Sequence, residues 1–249
     1  MSETTKPARS KKPTTLLLSV ILLLSIITLY MVSPYPYRFY GTMTSELKDS
    51  ELFEDMQSGQ SFCFLGDSIT YGSATNGVPW YYHLERYING DVTSYSYGGW
   101  TVSTLIEGKD EIPSADIYVI AIGINDALCY YENGAASDSE EFIEYIGILT
   151  DNLKEISPEA KLYYITPWIF YGFPDAIVEK RIEYSNALME WCNTEGIICI
   201  DPNPIILDAI DEDNPERYMT PDLFHPNAKR GVGLYSYAVL LAEHQRRYQ

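Results

Sequence analysis

FLGDSITYG, residues 64–72, closes one kind of chain and opens another. The apolar run Phe62-Cys63-Phe64-Leu65 follows a polar, turn-prone stretch, Gln57 to Ser61, and stops at Gly66-Asp67-Ser68. A short apolar run closed by Gly reads as a buried strand. Asp or Ser beside it reads as a helix start, because either side chain accepts from the unpaired N–H groups of a first turn. Ser68 is therefore a helix cap or a nucleophile, and on these nine residues the cap is the simpler reading.

Four more apolar runs read as buried strands: Val92–Tyr97, Ile117–Ile122, Leu162–Ile165 and Ile197–Ile200. Helical stretches lie between and after them, over Pro79–Ile88, Ser139–Ile156, Ala176–Asn193 and Val232–Arg246. In the second, Phe142, Tyr145, Ile146, Leu149, Leu153 and Ile156 recur at spacings of three and four. Strands alternating with helices predict an α/β class protein: a three-layer α/β/α, flavodoxin-like domain around a roughly five-stranded parallel sheet.

Ligands of open α/β sheets bind beyond the C-terminal strand ends. Strand one is followed by Gly66-Asp67-Ser68, strand two by Gly98-Gly99-Trp100-Thr101, and strand three by Gly123-Ile124-Asn125-Asp126. TPDLFHPNAKRG, residues 220–231, brings Asp222 and His225 three apart. A serine hydroxyl needs an adjacent base to become a nucleophile. Of the three histidines, His83 falls in a helix pattern and His244 in a charged C-terminal run, and both read as structural or surface residues. His225 with Asp222 suits a base and its orienting acid, on the expectation that residues three apart share a helical face. The N–H groups of Ser68 and Gly99 and the Asn125 amide suit an oxyanion hole. Each fragment has a plainer reading as a cap or turn; their order and placement favour chemistry.

These blocks, GDSITYG, YGGWT, GIND and DLFHP, resemble the SGNH hydrolases, or GDSL lipases/esterases, from Ser61 to about Arg246. The resemblance implies the flavodoxin-like fold, an esterase without metal or organic cofactor, and an acyl-enzyme on Ser68. It implies His225 as base, Asp222 as its acid, and Ser68, Gly99 and Asn125 as oxyanion donors. Gly99 rather than Gly98 is chosen because it stands directly before Trp100-Thr101. Asp67 and Asp126 match the pattern as supporting residues. Trp100 and Trp168 are candidate substrate contacts, with packing onto the sheet the alternative for each.

Composition bounds the partners. The chain has 35 acidic and 17 basic residues among 249 and a net charge of −18. Nucleic acid is excluded by that field, and anionic polymers are poor candidates unless a local basic pocket exists. The cysteines show no zinc-ligand spacing, and the acidic stretch Asp208–Glu216 lacks the EF-hand pattern. Residues 14–32 are uncharged, preceded by Lys6, Arg9, Lys11 and Lys12 and followed by tyrosines. Nineteen such residues span ~28 Å as a helix, which predicts one membrane-spanning anchor with its N-terminus in the cytoplasm. A cleaved signal peptide is the rival reading, disfavoured because no Ala-x-Ala-like exit follows.

The expected organisation is a basic cytoplasmic tail at 1–13, a transmembrane anchor at 14–32, a tether at 33–60 and an extracytoplasmic SGNH hydrolase domain at 61–249. The expected partners are the lipid bilayer, through 14–32, and a small acyl ester or acylated glycan. The leading function is removal of short, O-acetyl-type groups from a carbohydrate or envelope glycan. Lipid esters, acyl transfer to a sugar hydroxyl, and a non-catalytic envelope binding protein are the alternatives; the last is disfavoured because Ser, Gly, Asn and His are all present.

Overall fold

The computed structural model describes residues 12–32, 39–128, 134–210 and 214–248. The chain divides into two units, one ending at Pro34 and the other beginning at Tyr35. The first is helix α1, Lys12–Val32. Its described side chains, 17–29, are all exposed and, Ser and Thr aside, apolar, and the Ser25 and Thr28 hydroxyls donate to the carbonyls of Ile21 and Leu24 at 2.8 Å. Among the described residues no helix is long and apolar enough to cross a membrane. The span expected over 14–32 extends beyond the described side chains at both ends.

The second unit is built on five strands: β1 (Phe62–Gly66), β2 (Val92–Ser96), β3 (Ile117–Ala121), β4 (Lys161–Ile165) and β5 (Ile198–Ile200). They lie in the order β2-β1-β3-β4-β5, all parallel. Side chains alternate across the sheet. Phe62, Phe64, Val119, Tyr163 and Ile165 enter one core; Cys63, Leu65, Tyr118, Ile120 and Tyr164 enter the other. The first core is covered by α2 (Ser45–Lys48), α3 (Glu51–Gln57) and α11 (Gly231–Arg247). The second is covered by α6 (Val102–Glu107), α8 (Ser139–Ile156) and α9 (Asp175–Glu195). The expected three-layer α/β/α architecture is what forms.

The register places the functional loops. Gly66 is level with Ser96 and Ala121, and Ala121 with Ile165. All the strands therefore end together, and the loops leaving them open on one edge. The chain winds from β1 to β2 in one direction and from β3 to β5 in the other, so the crevice lies beside β1, where α/β ligands bind.

Three expectations need correction. The tether drawn over 33–60 is folded domain in its second half: Thr44 and Ser50 cap α2 and α3, and Leu47, Leu52, Phe53 and Met56 are buried against the sheet. Residues 33–38 lie outside the described residues. β2 is an edge strand rather than a buried one, with Thr93 and Ser94 exposed, because nothing pairs beyond it in the described sheet. The helix expected over Pro79–Ile88 is one turn, α5 (Tyr82–Glu85), following the one-turn α4 (Ser68–Tyr71). Cys63, Cys192 and Cys199 are free thiols, while Cys129 and Asp211–Asp213 lie outside the described residues.

Candidate active site

Ser68 is the first residue of α4, and Asp67 is its cap: the Asp67 carboxylate accepts from the Ile69 N–H at 2.9 Å. The capping role thus falls one residue before the serine and leaves the Ser68 hydroxyl uncommitted to the helix. Gly66 makes the turn possible, since a Cβ there would stand 2.5 Å from the Ala121 carbonyl oxygen on the neighbouring strand. Ser68 Oγ lies 2.9 Å from His225 Nε2, within reach for proton transfer.

His225 Nδ1 lies 2.8 Å from Asp222 Oδ2. The shared face is not helical. Asp222 Oδ1 accepts from the backbone N–H groups of Phe224, at 2.9 Å, and His225, at 3.0 Å, folding the loop back on itself. Leu223 takes a left-handed φ of 56°, a strained value for a branched side chain, and is held there by bonds to Thr220 and Tyr171 at 2.9 Å each. Partial burial alone would raise the Asp222 carboxyl. Bonds from the Thr220 hydroxyl, the His225 N–H and ring, and the Phe224 N–H outweigh it and hold the group down at about 2. Asp222 is therefore ionised over the working range, fixing the tautomer that leaves Nε2 free to take the serine proton.

The oxyanion candidates meet beside Ser68. Gly99 has φ 80°, a conformation that favours glycine, so of the Gly98-Gly99 pair it is Gly99 that the loop requires. Asn125, at the start of α7 (Ile124–Leu128), is buried, and its Nδ2 donates to the Trp100 carbonyl at 2.8 Å. An amide carries two N–H groups, so one bond fixes the side chain and one remains for an oxyanion. Asp126 fixes the same loops by accepting from Val102 N and Ala136 N, each at 3.3 Å.

Two carboxyls are buried behind this surface. Burial raises Asp67 to about 7, with the Asp126 charge adding to the shift, and raises Asp126 to about 6. Asp67 Oδ2 has no hydrogen-bond partner. Asp67 holds the first turn of α4, and Asp126 links α7 to the start of α6 and to Ala136.

Ser68, Gly99, Asn125, Asp222 and His225 line one cleft of about 510 Å³ together with Ser73, Leu128, Phe173 and Phe224. Trp168 does not reach it. It is buried at 1 % exposure against Trp80 and Tyr235, which removes it as a substrate contact. Trp100 packs its ring on Tyr95 and Tyr97, and its contribution is the carbonyl that holds Asn125. His83 is buried, which lowers it to about 4, with Arg86 adding to the effect. His244 sits 3.9 Å from Asp49 on α11. Phe173 comes from the aromatic run Thr166–Phe173, which follows strand four at the ligand end, whereas the sequence reading missed Phe224. Phe224 is adjacent to His225 within the quoted block, and its ring stands edge-on to the imidazole at 4.6 Å.

Residues 64–229 match the family model described as GDSL-like Lipase/Acylhydrolase. No curated protein matches the chain. Solved structures that it resembles include a protein from Parabacteroides merdae described as GDSL-like lipase, with 18% identity, 76% of this chain and 97% of that one covered, and a TM-score of 0.64. An acetylxylan esterase from Geobacillus stearothermophilus gives 19% identity, 76% and 96% coverage, and a TM-score of 0.57. A lipolytic protein of the G-D-S-L family from Veillonella parvula gives 21%, 72% and 96%, and 0.57. At these identities the structures share the fold, and the match over 64–229 fixes the relationship: this chain belongs to the GDSL-like lipase/acylhydrolase family and is a carboxylic ester hydrolase.

Proposed function

We propose that this protein is a membrane-anchored, extracytoplasmic serine esterase that removes short O-acyl groups, acetyl foremost, from a carbohydrate or envelope glycan. The observation that carries the chemistry is the Asp222–His225–Ser68 relay, at 2.8 and 2.9 Å, opening on the cleft shared with Gly99 and Asn125. Ser68 Oγ attacks the ester carbonyl and His225 Nε2 takes the hydroxyl proton. The developing oxyanion meets the Ser68 and Gly99 N–H groups and the free Asn125 N–H. The C–O bond to the sugar breaks, and the leaving sugar oxygen takes the proton from His225. Water then attacks the acyl-Ser68 ester with His225 again as base, releasing the acid.

The anchor is supported by the uncharged stretch 14–32 behind a basic tail. A glycan substrate is supported by an open cleft with aromatic walls, and the acetylxylan esterase shares its fold. The test is turnover of p-nitrophenyl acetate, butyrate and octanoate, with release of acetate from acetylated polysaccharide measured alongside. Acetyl turnover is highest, and Ser68→Ala and His225→Ala each lower it by ~10³-fold or more. Full activity of Ser68→Ala overturns the mechanism. A rate that climbs steadily to octanoate overturns the short-acyl reading in favour of lipid esters.

A further inference from the structure

A second cavity, of about 270 Å³, is lined by Phe39, Tyr40, Gly41, Arg217, Tyr218 and Arg230. Two arginines converge on it in a chain of net charge −18. Several other basic side chains on this domain are in ion pairs: Arg246 with Glu51 and Glu243, Arg247 with Glu54, Lys161 with Glu51 and Asp55. Among the described residues neither Arg217 nor Arg230 has an ion-pair partner. Both are exposed, and the Arg217 guanidinium lies 5.4 Å from the centre of the Tyr218 ring.

One side chain ties together the backbone segments that carry the two arginines. Asn227 Oδ1 accepts from Arg230 N at 2.9 Å, and its Nδ2 donates to the carbonyls of Glu216 and Met219 at 3.1 Å each. The opposite wall is aromatic: Tyr40 packs on Tyr218 at 5.9 Å and on Tyr237 at 5.1 Å. Guanidinium pairs bind carboxylate or phosphate in bidentate geometry, and flat aromatic faces pack against rings. Two guanidinia facing one concavity lined by aromatic rings offer an anionic sugar both a paired donor set and a flat packing face.

We propose that this cavity binds the anionic group of a charged sugar, a uronate carboxylate or a sugar phosphate, with the ring against Tyr40 and Tyr218. The cavity is the local basic pocket without which the net charge excludes anionic polymers. It shares a loop with the catalytic histidine. Met219 bridges antiparallel to Pro226, Asn227 N donates to the Tyr218 carbonyl at 2.7 Å, and Thr220 N donates to the His225 carbonyl at 2.8 Å. An anionic residue of a polymer held here is one loop away from the cleft that holds Ser68. That coupling rests on the glycan reading above, whereas binding itself does not.

The test is calorimetric titration of the full chain carrying Ser68→Ala, in detergent, with trigalacturonate, glucose 6-phosphate and neutral xylotriose. One or both charged sugars bind saturably, and Arg217→Ala and Arg230→Ala each weaken that binding at least tenfold. Which of the two binds separates carboxylate from phosphate. Melting curves and the conservative Arg217→Lys and Arg230→Lys variants, which restore part of the affinity, show that fold is not the cause. Failure of both charged sugars to bind, equal affinity for xylotriose, or unchanged affinity in the alanine variants overturns the proposal. The p-nitrophenyl acetate assay of the unsubstituted chain reports on the esterase reading separately.

Discussion

Asn125 and Asp67 show how much of this site depends on single polar atoms. Asn125 divides its amide between the Trp100 carbonyl and the cleft. Asn125→Ala removes an oxyanion donor, so kcat falls by ~10²–10³ while KM moves little. It also orphans a carbonyl, at ~1–3 kcal/mol of stability, which thermal melts register separately. A KM rise with kcat unchanged would show Asn125 to be a substrate binder instead. Asp67 answers to pH. Its folded-state value, raised to about 7 by burial, means that the folded chain keeps a proton the unfolded chain loses near ~4. Its contribution to stability is therefore present at low pH and lost as pH rises through that window, since the unfolded state there binds fewer protons. Asp67→Asn keeps an oxygen for Ile69 N and does not titrate. The melting temperature of Asp67→Asn relative to the unsubstituted chain should rise between about pH 4.5 and 7.5, and a difference that is flat with pH sinks this account.

At the scale of elements, α3 makes the clearest prediction. Met56 is fully buried under the sheet, so Met56→Ala should cost ~2–5 kcal/mol and lower the denaturation midpoint with the slope unchanged. A cost near zero would restore the tether reading. The same helix shows where the sequence stopped being legible. β1, β3 and β4 carry continuous apolar runs, because both of their faces are covered, and such runs are visible without partners. The seven residues of α3, three of them acidic, give no comparable period, and only the tertiary contacts of Leu52, Phe53 and Met56 reveal their role. At the site, Ser68, Gly99, Asn125, Asp222 and His225 were legible because chemistry demands those side chains after those strands. Phe224 was not, since an aromatic in a loop reads equally well as packing. Trp168 was misplaced for that same reason. Asp222–His225 was found through an expected helical face, but the contact is made by a loop with Leu223 in a left-handed conformation, a geometry that spacing does not encode.

For the whole molecule, charge and apolarity bear differently on the proposed membrane anchor. The acidic domain is repelled by anionic headgroups, so its surface electrostatics cannot hold it there. The stretch 14–32 contains twelve Leu, Ile and Val residues and no charge. At ~0.3–0.6 kcal/mol each in favour of insertion, these amount to several kcal/mol, enough to offset the threonines and serines. Attachment through this helix is insensitive to salt, whereas attachment through the basic tail is screened within ~3 Å at 1 M. The full chain should therefore remain with membranes through washes in about 1 M salt and in alkaline carbonate, and leave only with detergent. Protease added outside intact expressing cells should then digest the domain while sparing a short N-terminal fragment. Release by salt, or a domain protected from external protease, would contradict the anchored, outward-facing arrangement and would leave the Ser68 chemistry untouched.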